Sequence, residues 1–162
     1  MAKSSKNVAA PEAFADDVET QAPMDSALDE LIGYAMRRAQ LKLFQNLISR
    51  LSNHDLRPAQ FSALAIIERH PGLMQSDLAK ALAIEPPQVV PLLNKLEERA
   101  LAVRVRCKPD KRSYGIFLSK TGETLLKELK LIAAESDRDA TSALDSQERE
   151  ELLRLLKKVY QA

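Results

Sequence analysis

The chain has 162 residues, of which 45% are hydrophobic and 29% are charged, and its formal net charge is +1. This composition is typical of one globular domain with a buried core, and it excludes an intrinsically disordered chain. No apolar run approaches the roughly 18 residues of a membrane span, and no apolar segment follows Lys3 and Lys6 as in a secretory signal, so we expect a cytoplasmic protein. Cys107 is the only cysteine, which excludes an intrachain disulfide.

The positive charge is concentrated in one segment. Residues 99–120 hold seven basic residues and one acidic residue, a net charge of +6, whereas residues 1–30 have a net charge of −5. Because DNA responds to the local potential, the nearly neutral total does not count against nucleic-acid binding. A solvated charged loop is the competing interpretation.

The N-terminal residues and the first helix differ in their apolar pattern. Residues 1–25 are rich in Ala, Pro and acidic side chains without an apolar period, and we predict a disordered arm. From 26 to 52, apolar residues recur at i, i+3, i+4 and i+7 over about six turns, which predicts a long amphipathic helix. Asp29 and Glu30 are expected in its first turn, where acidic side chains complement the helix dipole.

Three shorter helices are predicted next. Proline at the first helical position indicates that the second helix begins at Pro58, and Pro71 with Gly72 ends it. The third helix, QSDLAKAL, spans 75–82, and the fourth, PPQVVPLLNKLEERA, spans 86–100 with its apolar residues facing inward. Two short helices joined by a tight turn predict a helix-turn-helix.

After the fourth helix the hydrophobic period changes to two, which predicts a β-hairpin with one basic face. The apolar positions of the first strand are Val103, Val105 and Cys107, and they alternate with Arg104, Arg106 and Lys108. We expect the apolar face to point inward, so that Cys107 is a buried small hydrophobe rather than a redox sensor. The apolar positions of the second strand are Tyr114, Ile116 and Leu118.

Two capping motifs open the last two helices. Ser119 is expected to cap a fifth helix, and the sequence DSQE, Asp145 to Glu148, forms a capping box for a sixth. The predicted order is α-α-α-α-β-β-α-α, a mainly α fold with a small β-hairpin wing (α+β). The predicted parts are the whole domain 26–162, its winged helix-turn-helix core 56–120, and its flanking helices 26–52 and 120–162.

The apolar stripe of the first helix is longer than a compact winged core can cover. We therefore predict that the flanking helices 26–52 and 120–162 pack against a second copy in a twofold homodimer. An intramolecular helical bundle is the alternative.

Three successive segments of the chain carry the motifs of a known family. They are LRPAQFSALAIIERHPGLMQSDLAKALAI, VVPLLNKLEERALAVRVR and PDKRSYGIFLSKTGE, and the last has an Asp-x-Arg wing at Asp110 and Arg112. From about Leu28 to Tyr160 the chain resembles the MarR family of winged helix-turn-helix transcription regulators. The resemblance implies a dimer that inserts each fourth helix into a major groove of palindromic double-stranded DNA, with each wing tip beside a minor groove.

The resemblance implies DNA contacts from the fourth helix and from the wing. Gln88 and Asn94 suit base edges or phosphates, and the basic residues suit phosphates. Arg112 at the wing tip suits a narrow minor groove with Asp110 orienting it, although Asp110 is alternatively a plain turn residue. The predicted DNA-binding residues are Gln88, Asn94, Lys95, Arg99, Arg104, Arg106, Lys108, Asp110, Lys111 and Arg112.

Five positions depart from the family pattern, and two of them are Pro86 and Pro87, which replace the usual Ser or Thr near the start of the fourth helix. Pro91 stands where many relatives carry a basic residue, and it predicts a local kink in the recognition helix. Met74 replaces the usual capping Thr, which weakens the start of the third helix by about 1 kcal/mol. Ala100 occupies a common Gly position, where a left-handed backbone would be strained, so the turn there is expected to differ.

Most members of this family respond to a small molecule, and the segment GYAMRRAQLKLFQNL is similar to the subgroup that responds to hydroxycinnamates or their CoA thioesters. An arginine would pair with a carboxylate or phosphate of such an effector, and aromatic side chains would form an apolar wall. The predicted ligand-binding residues are Tyr34, Arg37, Arg38, Phe44, Phe61 and His54. Taken singly, a phenylalanine is more typical of a core position and an arginine of a solvated surface.

The sequence contains no nucleophile paired with a base, no metal-ligand spacing around its histidines and no Gly-rich phosphate loop, so we expect neither an enzyme nor a bound metal or cofactor. The predicted function is a ligand-responsive transcription regulator, most simply a repressor of aromatic-catabolism genes that the effector releases from its operator. The alternative is a winged-helix module that binds a protein or nonspecific nucleic acid without a ligand.

Overall fold

The structure is a computed structural model that describes residues 27–106 and 114–161. It divides into two units, Met1–Ala35 and Met36–Ala162, and the second unit contains all elements after the first helix. The predicted arm 1–25 and the predicted burial of Cys107 lie outside the described residues.

The elements follow the predicted order α-α-α-α-β-β-α-α, which confirms the winged helix-turn-helix fold. They are α1 (Ile32–Ser52), α2 (Pro58–Arg69), α3 (Gln75–Leu82), α4 (Pro86–Glu98), β1 (Ala102–Arg106), β2 (Tyr114–Leu118), α5 (Lys120–Ala140) and α6 (Ser146–Tyr160).

The start of α1 differs from the prediction. The helix begins at Ile32, because the Leu31 N–H donates to the Leu28 carbonyl at 2.9 Å and so closes a separate turn over the preceding residues. The first turn of α1 therefore contains no acidic residue, and Asp29 and Glu30 precede the helix instead of lying in it.

The predicted starts of α2, α3, α5 and α6 agree with the structure. Pro58 is the first residue of α2, and Met74 precedes α3 without a side-chain capping bond. The Ser119 hydroxyl accepts a hydrogen bond from the Gly122 N–H at 2.9 Å, which caps α5. The α6 capping box is complete, because Asp145 and Glu148 each accept the other's N–H at 2.9 Å.

Helix α4 runs without a break through Pro91. Proline cannot donate the N–H that would reach the carbonyl of Pro87, but Pro87 is exposed, so that carbonyl can hydrogen-bond to solvent. The turn after α4 has a left-handed backbone, with Ala100 at φ 52°. The expectation that this turn would differ is therefore wrong, and the strain stays at an alanine.

The first strand of the hairpin turns the opposite face to the core from the one predicted. Val103 and Val105 are 42% and 50% exposed, whereas Ala102 and Ile116 are buried. The antiparallel register places Arg104 opposite Ile116, so the arginines share the core-facing side of the sheet. The inward valine face was a wrong prediction, because a two-stranded wing has only its base against the core and Arg104 finds a carboxylate partner there.

One buried cluster holds the winged core together. It contains residues of α1, α2, α3, α4, α5 and both strands, and its largest members include Leu64, Leu93 and Leu126. The chain segment before α3 adds a bridge, because the Ile116 N–H donates to the Leu73 carbonyl at 3.0 Å. Helix α6 has no buried residue. Within the described ranges, no helix combines the length and apolarity that crossing a bilayer requires.

Candidate functional site

Helix α4 has a buried face and an exposed face. Val89, Leu93 and Leu96 are fully buried, at the spacing that places them on one side of a helix. Gln88 and Asn94, the two amides predicted to contact DNA, are exposed. The Gln88 carbonyl oxygen accepts the N–H of Glu85 at 3.1 Å, so this side chain also closes the first turn of the helix.

Arg104 of β1 is bound to α4. Its Nε lies 3.0 Å from both carboxylate oxygens of Glu97, and its terminal nitrogen bonds to the same carboxylate. The Arg104 backbone N–H also donates to Glu97 at 3.0 Å. The same terminal nitrogen donates to the Asn94 side-chain carbonyl at 2.7 Å. Glu97 therefore pairs with Arg104, which was predicted to contact a phosphate. This pair joins the wing to the recognition helix.

The electrostatics of this pair favour its charged form. The hydrogen bonds from the Arg104 guanidinium lower the pKa of Glu97 from its ordinary value of 4.5, against the opposing effect of burial. The same hydrogen bonds raise the pKa of Arg104. Both side chains are about a quarter exposed, so solvent screens the pair only in part.

Arg99, another predicted phosphate contact, bridges to the end of α1. Its two terminal nitrogens donate to the backbone carbonyls of Asp55 at 2.6 Å and His54 at 2.8 Å. Asp55 has a left-handed backbone, φ 50°, so its carbonyl lies in a tight turn and not in a helix. The end of the recognition helix is thus held against the turn that follows α1.

The remaining predicted DNA contacts divide into two groups. Lys95 and Arg106 are exposed, and the Arg106 Nε donates to the Tyr114 hydroxyl at 2.9 Å. The Arg106 guanidinium also lies 5.7 Å from the Tyr114 ring centre. The residues predicted for the wing tip, namely Lys108, Asp110, Lys111 and Arg112, lie outside the described residues.

The predicted ligand contacts differ in their exposure. Arg37, Arg38 and Phe44 are exposed along α1, whereas Phe61 is half-buried against the core cluster. His54 is half-buried, with its Nε2 3.8 Å from a Glu128 carboxylate oxygen. The sixth predicted contact, Tyr34, is half-buried in the first unit.

A cavity of about 790 Å³ lies where the end of α1, the start of α2 and the second half of α4 meet. In the described part of the chain, its lining includes none of the six predicted ligand contacts. Its lining residues are Ile48, Ser52, Asp55, Leu56, Arg57, Pro58, Gln60, Lys95, Glu98 and Arg99. The sequence assigned Lys95 and Arg99 to DNA, and only the fold brings Arg57 to the same cavity.

The cavity has the character of an anion site with an apolar side. Arg57, Lys95 and Arg99 outnumber the acidic residues Asp55 and Glu98 in its lining, and apolar surface adjoins them. A small molecule with a ring and a carboxylate or phosphate would find both kinds of partner there.

Comparison with known proteins identifies the family. A Thauera aromatica protein named for transcriptional regulation of the hcr operon is 30% identical over 147 residues, which cover 85% of this chain and 89% of that protein. The model of the MarR family matches residues 54–113. The chain belongs to the MarR family. This membership confirms the predicted family and indicates a DNA-binding transcription regulator, not an enzyme.

Solved MarR-family structures agree over nearly the whole fold. The transcriptional repressor CouR bound to a 23-mer DNA duplex is 34% identical, with a TM-score of 0.79 over 86% of this chain and 99% of that one. CouR bound to p-coumaroyl-CoA is 34% identical, with a TM-score of 0.73 over 82% of this chain and 94% of that one. The MarR-type winged helix of this chain is therefore shared with a repressor that binds both DNA and an aryl-CoA thioester.

Proposed function

We propose that this MarR-family chain is a cytoplasmic repressor of aromatic-catabolism genes that binds a palindromic operator as a homodimer. An aromatic acid or aryl-CoA thioester releases it from that operator. The observation that carries this proposal is the similarity to CouR, which is 34% identical and is known both with a DNA duplex and with p-coumaroyl-CoA. The relative named for the hcr operon supports gene regulation.

The proposed DNA-binding surface is the exposed face of α4 together with the wing. Gln88, Asn94 and Lys95 are exposed on α4, and Arg106 is exposed on β1. Amide and cationic side chains on a helix supply the base-edge and phosphate contacts of a major-groove reader. Arg112 is the proposed minor-groove contact of the wing tip.

The proposed homodimer rests on exposed apolar side chains of α1 and α6. Phe44 and Ile48 of α1 are 43% and 50% exposed, and Leu153 and Val159 of α6 are 53% and 60% exposed. Large apolar surfaces of this kind are typical of an interface. Sedimentation should give a dimer at low micromolar concentration, and Leu153→Glu should shift it toward monomer while Gln147→Glu on the same helix does not. A folded wild-type monomer at that concentration contradicts the dimer.

The effector is proposed to bind in the cavity beside α4. The cavity offers Arg57 and Lys95 to an anionic group and has the size of a small-molecule site, about 790 Å³. The set of ligand contacts predicted from the sequence offers the exposed Arg37 of α1 instead. The two locations are distinguished by comparing Arg57→Met with Arg37→Met, because only the variant at the true site lowers effector affinity.

Release of DNA is proposed to occur by a population shift. An occupant of the cavity touches α1 and α4 at once, and Arg99 joins α4 to the turn after α1 through two hydrogen bonds. An effector that binds better when this junction is rearranged will lower the population with correctly spaced recognition helices. The effector must therefore weaken operator binding by the same factor by which the operator weakens effector binding.

DNA binding is tested by selection from a random duplex library followed by binding titrations. A sequence-specific regulator binds its selected palindrome at least about a thousandfold more tightly than random duplex. Arg112→Ala should weaken that binding by about 1 to 3 kcal/mol with the dimer intact. Equal affinity for random duplex would instead favour a nonspecific winged-helix module.

Effector binding is tested by thermal shift and by operator release. p-Coumaroyl-CoA, p-coumarate and free CoA are compared at the same concentration, because a ligand of the native state raises the apparent melting temperature. The expected effector raises it and releases the operator duplex. A compound that binds without altering operator affinity is not the effector.

A further inference from the structure

The two amide side chains exposed on α4 both use their carbonyl oxygens within the protein. The Asn94 oxygen accepts from the Arg104 guanidinium at 2.7 Å, and the Gln88 oxygen accepts from the Glu85 backbone N–H at 3.1 Å. Both partners can only donate, since a guanidinium and a backbone N–H carry no acceptor. The chemistry of the partners therefore fixes which end of each amide faces inward.

The orientation of Asn94 depends on a pair of charged residues. Glu97 holds the Arg104 guanidinium through both of its carboxylate oxygens and also accepts the Arg104 backbone N–H. Three donor groups of Arg104 are directed at Glu97. They hold the terminal nitrogen of Arg104 where it donates to the Asn94 oxygen. The bond from Arg104 turns the Asn94 oxygen toward β1, so the amide nitrogen, with its two N–H donors, is the end left to face an outside partner.

An amide held with its N–H donors outward recognises a restricted set of base edges. The usual bidentate pairing of Asn with adenine needs the amide oxygen to accept from adenine N6 while the nitrogen donates to N7. Cytosine presents an N4 donor, which also needs an acceptor. Thymine presents one acceptor, O4, whereas guanine presents two, O6 and N7, and so matches both N–H donors.

We propose that Glu97 and Arg104 are positioning residues that fix Asn94 as a donor and so make it select guanine over adenine in the operator. The proposal rests on the DNA binding proposed above and adds the base class that α4 reads. It also assigns Arg104 to specificity instead of phosphate neutralisation, because Glu97 already balances its charge.

The test is selection from a randomised duplex library, followed by sequencing, with the full-length wild type and three variants. Asn94→Ala identifies the base-pair position that Asn94 contacts, because the preference at that position is lost. Arg104→Met keeps the aliphatic stem and frees the Asn94 oxygen. Arg106→Met is the matched control, since Arg106 lies on the same face of β1 but donates to Tyr114 and not to Asn94.

The wild type should prefer guanine over adenine at the Asn94 position by at least about tenfold, within the range of a good base contact. Arg104→Met should lower the guanine-to-adenine ratio at least about fivefold. Arg106→Met should weaken DNA binding without altering that ratio. A preference for adenine or cytosine, an unchanged ratio in folded Arg104→Met, or no position lost in Asn94→Ala overturns the proposal. If Arg104→Met does not fold, the wild type and Asn94→Ala decide it. A wild type that enriches no sequence at all contradicts the proposed function itself, which separates the two failures.

Discussion

Replacing Arg99 tests whether this residue stabilises the fold or contacts DNA. The sequence predicts a phosphate contact, whereas the structure directs both terminal nitrogens of Arg99 to the carbonyls of His54 and Asp55 at 2.8 and 2.6 Å. Arg99→Met keeps a long apolar side chain in the half-buried position and removes both donors. We therefore expect a loss of stability with little direct change in the electrostatics of DNA binding.

The size of the stability loss follows from those two hydrogen bonds. A hydrogen bond from a charged donor contributes roughly 1.5 to 3 kcal/mol. One of the two is exposed and the other only partly buried, so solvent can replace part of each, and the sum is about 2 kcal/mol. For a domain of this size that corresponds to a fall of about 4 to 8 °C in melting temperature.

The assay measures melting temperature and the salt dependence of operator binding at one protein concentration. Lys95→Met is the matched control, one turn earlier on α4, where an exposed lysine that contacts a phosphate would reduce the slope of log Kobs against log salt by about 0.9 with little change in melting temperature. Arg99→Met should instead lower the melting temperature with little change in the slope of log Kobs against log salt. A slope reduced by about 0.9 with an unchanged melting temperature in Arg99→Met would refute the structural role.

Gly122→Ala should lower the free energy of unfolding by about 3 kcal/mol or more in urea titrations, because an added Cβ would lie 2.0 Å from a backbone carbonyl oxygen. Gly33→Ala, where nothing lies within 4 Å of the added Cβ, should leave it unchanged or raise it by up to about 1 kcal/mol; equal losses at both sites would show that helix geometry and not the close approach is responsible. Ala100→Gly should raise the free energy of unfolding by about 0.5 to 1 kcal/mol, since φ 52° is strained for alanine, and a loss in the same titration would contradict that strain. Glu97→Gln should be less stable than the wild type at pH 7, and this difference should shrink as the pH falls through and below 4.5. The reason is that Arg104 lowers the folded-state pKa of Glu97, so the stabilisation is present above the unfolded pKa and is lost as the carboxylate protonates; a difference that does not depend on pH would exclude the ion pair as its source.

The fold was predictable from the sequence because its signals are local. Proline at Pro58, the capping serine at Ser119 and the capping box at Asp145 each determine a helix start through neighbouring backbone groups. The start of α1 was wrong, because the hydrophobic period continues through Leu28 and Leu31 although the backbone closes a turn there. Periodicity reports which side chains are apolar and does not report where the helical hydrogen bonds begin.

The site was less predictable because it depends on partners that are distant in the sequence. The alternation of basic and apolar residues in β1 correctly placed Arg104 and Val103 on opposite faces of the strand. It does not indicate which of the two faces meets the core. That choice follows from Glu97, which accepts the arginine on the inner side. The cavity was missed for the same reason, since its Arg57 and Lys95 are 38 positions apart in the sequence and meet only in the fold.

The sequence by itself determined the family, the order of helices and strands and the set of exposed amides and bases on α4, because these depend on local pattern and on motifs that are contiguous in the chain. Only the tertiary structure decided what each of those side chains does. Arg99 and Arg104 read equally well as phosphate contacts, yet one is bonded to the carbonyls of His54 and Asp55 and the other to a carboxylate on α4. A charged side chain takes its role from the groups that the fold brings within hydrogen-bond distance, and a linear pattern does not contain those distances.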